Sequence, residues 1–383
     1  MWHIRLDWFS FECILKQLRW PAWAAFIIVQ MAGLSVQSAD INIAGGNTRL
    51  YNAQNGVQVI DIATANGSSV SHNKFHKYNV DPRGLVLNNN SPLTRSGPVQ
   101  SQLAGQIFPN QNLSGEAKLI LNEVVSANRS VLAGFTEVAG GKADVVVANP
   151  WGITCKGCGF INTDRAPLTT GIPQWGGGGS LDGFRVNQGD ILVNGSGLDG
   201  RNQEILDLVA RSVKFDGQVN GKDIQVVAGA NNYTYSTRAV TPITATGQKP
   251  LYAIDSTALG GMYGNRIRMI ATESGVGVRK LGNAAASGSD FVLTASGKIK
   301  LRSKISAKRH VKVTYDGPAS GGAAAVELSG ASAELTAEKD IELKAENGAG
   351  VTLSDGKITA GQDLTVETGT LTDSAATATT RFA

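Results

Sequence analysis

The chain has 383 residues, a net charge of +4 at neutral pH, 46 glycines and 6% aromatic residues. So weak a positive surplus over this length gives no electrostatic case for a nucleic-acid partner. Glycine lies between short apolar runs and follows no strict period, and helical signals are nearly absent.

Residues 1–39 open with scattered charge (Arg5, Asp7, Glu12, Lys16 and Arg19), and no further charge appears until Asp40. The intervening "WPAWAAFIIVQMAGLSVQSA" is an apolar run followed by small residues, too short to span a bilayer. It reads as a signal peptide with a long amino-terminal region, cleaved after Ser38 or Ala39; a membrane-anchored start is the rival reading. Losing three basic and two acidic residues leaves 32 Lys+Arg against 29 Asp+Glu, about +3. Export would place the mature chain in an oxidising compartment.

Beyond the leader, short strand-like segments alternate with Gly, Asn and Asp. Examples are "GVQVIDIA" (56–63), "KLILNEV" (118–124), "ADVVVAN" (143–149), "DILVNG" (190–195), "DIQVVAG" (223–229) and "FVLTA" (291–295). The one helical candidate is "NQEILDLVARSVKF" (202–215), in which Ile205, Leu208, Val209 and Val213 could share a face, although the same residues also alternate as a strand. "WGGGGS" (175–180) looks like a linker, but the strand-like "FRVNQGDILVNG" that follows makes it a loop within one domain.

Towards the end, "GKIKLRS" (297–303), "AVELSG" (325–330), "KDIELKA" (339–345) and "QDLTVET" (362–368) share an apolar–polar–apolar core. From Ile299 to Ile341 is 42 residues and from Ile341 to Leu364 is 23, giving a repeat of 21–23 residues with 325–330 midway along the double step. Two or three short strands per repeat, joined by tight corners, suit one coil of a β-solenoid, whose inward residues are buried only by stacking. Propeller blades need longer repeats and aromatic signatures, which are lacking.

Three long segments carry a family resemblance: "NKFHKYNVDPRGLVLNN" (73–89), residues 112–171 from "NLSGEAKLILNEV" to "GITCKGCGFINTDRAPLTTG", and "LYAIDSTALGGMYGNRIRMIATESGVGV" (251–278). Together they resemble the amino-terminal secretion domain of filamentous-haemagglutinin-like exoproteins, and more closely the contact-dependent growth inhibition exoproteins exported by two-partner secretion. The resemblance implies an all-β fold, a right-handed parallel β-helix with an amino-terminal cap and extra-helical β elements. It divides the chain into the signal peptide (1–39), the secretion domain (40–320) and continuing β-helix repeats (321–383). A dedicated outer-membrane transporter with periplasmic recognition domains is the implied partner, delivering a toxin-bearing or adhesive stalk to the surface or medium of a Gram-negative bacterium.

The family's two asparagine motifs map onto "PNQNL" (109–113) and "NPWGI" (149–153). The first reads as displaced from the usual Asn-Pro-Asn-Leu, and the second has Trp151 where asparagine is usual. Asn110, Asn112, Leu113, Asn149, Pro150 and Gly152 either contact the transporter or shape corners of the fold. For the second motif the corner reading has its own basis: Asn149 can accept from the N–H two residues on, Pro150 fixes φ and Gly152 permits positive φ. Trp151 could cover an exposed strand end.

Cys13 leaves with the leader, so Cys155 and Cys158 are the mature cysteines. In an oxidising compartment, with Gly157 and Gly159 allowing a tight turn, a short-range disulfide is expected, and the family resemblance includes the pair. Zinc would need further ligands from His72, His76 or His310. A thioredoxin-like site would need a helix amino terminus behind the first cysteine. The disulfide loop is small enough to thread a pore with an unfolded chain.

Secreted polysaccharide-degrading β-helix enzymes are the rival class; Asp144, Asp164 and Arg165 lie close in sequence, but Asp164 and Arg165 would point to opposite faces of a strand, and Asp199 and Glu204 lie in an irregular region. A plain solenoid stalk is the other alternative. No catalytic residue, cofactor or metal is expected, and the chain reads as a monomer. Composition becomes plainer and more acidic near "GPASGGA" (317–323), and the last repeat, "TLTDSAATATTRFA", shows no cap. The chain is therefore read as the leading portion of a longer protein, whose later regions would meet any target-cell receptor.

Overall fold

The computed structural model describes residues 40–319, 321–374 and 377–380, with side chains described to 374. The signal peptide expected over 1–39 lies outside the described residues, as do parts of the expected uncapped ending. The chain winds as a three-sided parallel β-helix. One face is a ten-stranded parallel sheet from Ser130–Leu132 through Ile153–Cys155, Asp190–Val193 and Ser212–Phe215 to Thr370–Ser374. The second face stacks Gln58–Asp61, Leu85–Asn89, Phe135–Gly140 and Cys158–Ile161 before continuing to Thr377–Thr380. The third stacks Val70–Tyr78, Leu119–Val124, Asp144–Ala148 and Arg165–Thr169, and ends at Leu364–Glu367.

Inward residues stack in columns because parallel register is conserved from coil to coil. Along one column Leu132, Cys155, Val193, Phe215, Ser256, Lys280, Leu301, Leu328 and Leu353 follow one another. Such columns form one continuous apolar core. Past residue 260 the strands alternate buried and half-exposed residues, as in Phe291–Ala295 and Ile341–Ala345, since only one side is covered. Earlier strands such as Asp144–Ala148 are buried on both sides, which explains the unbroken "VVVA".

The outer cover has two parts. An antiparallel four-stranded sheet of Ile172–Trp175, Leu181–Val186, Asn231–Thr234 and Val240–Pro242 packs Leu181, Phe184, Val186 and Tyr233 onto Leu121, Val146, Val209 and Val227 of the third face. A two-stranded hairpin, Val99–Ser101 and Gly105–Ile107, lays Ala104 and Ile107 on Val59, Val86 and Ala139 of the second face. At the amino end Ile41–Gly45 pairs antiparallel with Val70–Tyr78, and Arg49–Asn52 with Gln58–Asp61. These two pairings cover edges that a first coil would otherwise expose.

One sequence reading is settled and another needs correction. Of the two readings open for residues 202–215 the strand holds: Leu198–Ala210 and Ser212–Phe215 are strands. Stacking satisfies their backbone through ladders with Arg165–Thr169 and Val219–Ala228, so tertiary context decides between the two periods. The repeat phase is different. Ile341 pairs with Leu364 on the third face, 23 residues on, but Ile299 belongs to the first face and pairs with Val326. Similar apolar–polar–apolar triplets occur on all three faces, so the 42-residue step joins two faces. "WGGGGS" is a turn inside the four-stranded sheet, with a short 3-10 segment at Gly177–Gly179.

Candidate functional site

Asn149 follows the third-face strand Asp144–Ala148, where the chain turns towards the first-face strand Ile153–Cys155. Its side chain is fully buried. Nδ2 donates to Asn128 O (2.8 Å) and Ser130 Oγ (2.9 Å) of the preceding coil, and Oδ1 accepts from Trp151 N (3.0 Å). The backbone closes a four-residue turn, with Gly152 N donating to Asn149 O at 3.0 Å. Pro150 takes the first central position, where its fixed φ is pre-set for the turn. Gly152 has φ +109°, and a Cβ there would run into the Arg129 guanidinium. Arg129 lies along the turn, bonded to Thr154 Oγ1 (2.7 Å), Ile153 O (2.9 Å) and both carboxylate oxygens of Asp190 (2.8 Å each). Trp151 remains 38% exposed.

The Asn110 turn repeats this bonding pattern in the excursion that carries the outer hairpin. Asn110 is 1% exposed; its Nδ2 donates to Ile62 O (2.9 Å) and Asn88 O (3.1 Å), and its Oδ1 accepts from Asn112 N (3.0 Å). Leu113 N closes the turn on Asn110 O at 3.1 Å, and the Leu113 side chain enters the helix core. Asn112 Nδ2 reaches Asn47 O (2.6 Å) in the cap. The first motif is therefore not displaced. Residues 110–113 occupy the four turn positions, with Gln111 where proline is usual, so the departure is one substitution at the first central position. Likewise Trp151 replaces asparagine at the second central position of the other turn, where only its backbone N–H is required.

Asn88, Asn89 and Asn90 form a further part of this scaffold that the sequence reading did not single out. Asn89 donates to Ala117 O (2.9 Å) and Gly141 O (2.8 Å) and accepts from Ala117 N (2.8 Å), tying the end of the excursion to its start. Asn88 holds Asp61 (2.7 Å) and Phe108 O (3.0 Å). Three consecutive asparagines ending a strand were the available signal, since buried amides must find backbone partners. The hairpin has its own anchor: the buried Glu137 carboxylate accepts from Ser101 Oγ (2.6 Å), Gln102 N (2.8 Å) and Leu103 N (2.9 Å).

At the next corner Cys155, ending a first-face strand, and Cys158, starting a second-face strand, form a disulfide with Cα atoms 5.3 Å apart. Both are buried, at 0% and 2% exposure. Two of the histidines weighed as zinc ligands have other partners: His72 bonds Glu123 (2.7 Å) and lies tilted against the Trp175 ring, while His310 faces Asp340 at 3.0 Å.

Three of the acidic residues considered for catalysis are tied up in ion pairs. Asp164 meets Lys142 (2.8 Å), Asp199 meets Arg201 (2.6 Å) and Glu204 meets Lys222 (2.5 Å). Arg165 turns the other way, beneath the four-stranded sheet. There it and Arg238 share the fully buried Asp207, at 2.8 and 2.9 Å. Arg165 lies 4.0 Å over the Tyr235 ring, whose hydroxyl donates to Asp144 (2.6 Å). Burial pushes the Asp144 carboxyl up, a trend that Tyr235 and Arg165 partly offset. This network fastens the outer sheet to the helix.

One interior residue escaped the sequence reading entirely. Lys280 occupies an inward column position with no exposed surface, its Nζ donating to Gly282 O and to Asn283 O (3.2 Å). Desolvation lowers its pKa to about 7.

The family description "TPS secretion domain" matches residues 36–301, more than half of the chain. The chain belongs to the two-partner secretion domain family. Among its curated relatives it is 49% identical over 256 residues to the "tRNA nuclease CdiA" of Escherichia coli (strain STEC_O31), a match covering 66% of this chain and 8% of that protein. It is 46% identical over 263 residues to the "16S rRNA endonuclease CdiA" of Enterobacter cloacae, covering 68% and 8%. The chain thus spans about 8% of the length of these relatives. The crystal structure of the filamentous hemagglutinin secretion domain matches with a TM-score of 0.61 and 31% identity, over 87% of this chain and 99% of that one. Two-partner secretion domains are recognised by outer-membrane transporters and carried through the periplasm to the surface or medium of Gram-negative bacteria. This chain contains such a secretion region.

Proposed function

We propose that the Asn110 and Asn149 turns serve export by building the surface the transporter reads, while their asparagine side chains make no contact with it. The observation that carries this reading is shared geometry: both asparagines are buried and use Nδ2 and Oδ1 on backbone or coil partners. A partner approaching from solvent meets Gln111 and Trp151 together with the strand edges that the turns set in place. The periplasmic domains of the transporter take up this region, and coils beyond about residue 320 lengthen the rod. Residues 40–383 carry no catalytic step and no metal or cofactor, and the secretion region acts as a monomer. Toxic or adhesive activity belongs to later regions of a full-length exoprotein.

The test compares surface delivery of Asn149→Ala with that of Trp151→Ala and Gln111→Ala, with folding of each purified variant measured in parallel. Asn149→Ala should lose delivery together with stability. A variant with wild-type stability and no delivery at position 149 would place that side chain in direct contact and overturn the reading.

A further inference from the structure

The disulfide has a geometric peculiarity: the next coil closes over it. Gly157 N and Cys158 N both donate to Gly197 O, at 2.8 and 3.2 Å, and Cys155 Sγ lies 3.2 Å from that same oxygen. Asn194 N donates to Cys155 O at 2.9 Å, and the Ser196 side chain lies against Gly157. On the other side Lys156 N is held by Leu132 O (2.8 Å) of the preceding coil. The corner is thus sandwiched, and both cysteines are buried within it.

Thiol–disulfide exchange needs an incoming sulfur to approach a sulfur of the pair through a mixed disulfide. A protein oxidant must bring its own active site to that atom, which residues 194–197 prevent once seated. We propose that Cys155 and Cys158 are oxidised before the coil containing residues 190–198 docks, by a periplasmic thioredoxin-fold oxidoreductase in its disulfide form acting on the still-unfolded corner. One cysteine thiolate attacks the oxidant's disulfide, forming a mixed disulfide and expelling the oxidant's second thiolate. The other cysteine thiolate then attacks its neighbour's sulfur, closing the 155–158 bond and releasing the oxidant as a dithiol. Two electrons pass to the oxidoreductase, and the two protons lost by the cysteines balance those its thiolates take up.

The separation of only three residues suits this order, because the sulfurs can meet without any tertiary structure. The closed loop then enters folding with its corner already made, and docking of 194–197 seals it. The proposal requires export into an oxidising compartment but is independent of which residues the transporter reads.

The test uses the purified exported chain, reduced in denaturant, with oxidised glutathione as the probe. In one arm glutathione disulfide is added before dilution from denaturant, and in the other after refolding without oxidant. Closure is followed by mass after alkylation and normalised to a Cys-Lys-Gly-Cys peptide in the same solutions. The expected result is at least about tenfold slower closure in the refolded arm, since exchange then waits on local opening. Equal normalised rates would overturn the proposal. Should the reduced chain fail to refold, the reverse reaction decides: dithiothreitol should open the native disulfide at least about tenfold more slowly without denaturant than with it, and equal rates would again refute it.

Discussion

Replacing Asn149 by Ala removes three hydrogen bonds at a site with no access to water: those to Asn128 O, to Ser130 Oγ and from Trp151 N. At about 1 kcal/mol net for each, the loss is about 3 kcal/mol. Little packing is lost in addition, because the backbone turn keeps its Gly152 N to Asn149 O bond and Pro150 keeps its φ. With a urea slope of about 3 kcal/mol/M, the unfolding midpoint should fall by about 1 M. Asn149→Asp separates the two halves of the effect: Oδ1 can still accept from Trp151 N, but the donors are gone and a carboxylate faces the Asn128 carbonyl. It should be at least as destabilising as Ala at pH 7. Urea unfolding followed by far-UV circular dichroism measures both variants. A midpoint within about 0.3 M of wild type for Asn149→Ala would mean that these bonds contribute less than about 1 kcal/mol, and the corner argument would fail.

Trp151→Asn, which restores the usual family residue at a half-exposed turn position, should stay within about 0.5 kcal/mol of wild type in the same urea experiment. Asp207→Asn leaves two buried guanidinium groups short of a counter-charge and should cost about 3 kcal/mol, with faster hydrogen exchange in Asn231–Thr234 as the outer sheet loosens. Lys280 gives a pH signature. Its folded pKa of about 7 lies below the ordinary 10.5, so between those values the unfolded chain holds a proton that the native chain has released. Stability from this residue therefore rises with pH across that window. Lys280→Met should be more stable than wild type at pH 7 and should lose this share of the rise between pH 7 and pH 9, as read by urea midpoints.

The coils could be read from the sequence because stacking imposes a local pattern: short strands, Gly and Asn corners, and inward Val, Ile and Leu. The family segments added the cap and the outer elements. Phase was harder to read. Ile299 and Ile341 look equivalent in sequence yet lie on different faces, because corner length, and not triplet composition, decides which face a strand joins. Asn149 announced its turn through Pro150 and Gly152, whereas Asn110 was obscured by Gln111, although its bonding is the same. The environments of Asp207 and Lys280 were illegible, since each depends on segments far apart in the chain. Asp207 is buried by Arg165 and Arg238, 42 and 31 residues distant. Lys280 shares the inward face of its strand with Val278, but a lysine there reads from sequence as the end of the buried stretch, and only the column partners Ser256 and Leu301 in neighbouring coils show that it is enclosed.

The central claim, that this β-helix is an export address, is tested most directly by following the wild-type chain in cells that carry or lack its outer-membrane transporter. Delivery to the surface or medium should require the transporter, with folded chain or its degradation products confined to the periplasm when the transporter is missing. Equal appearance in the medium with and without the transporter would contradict the claim.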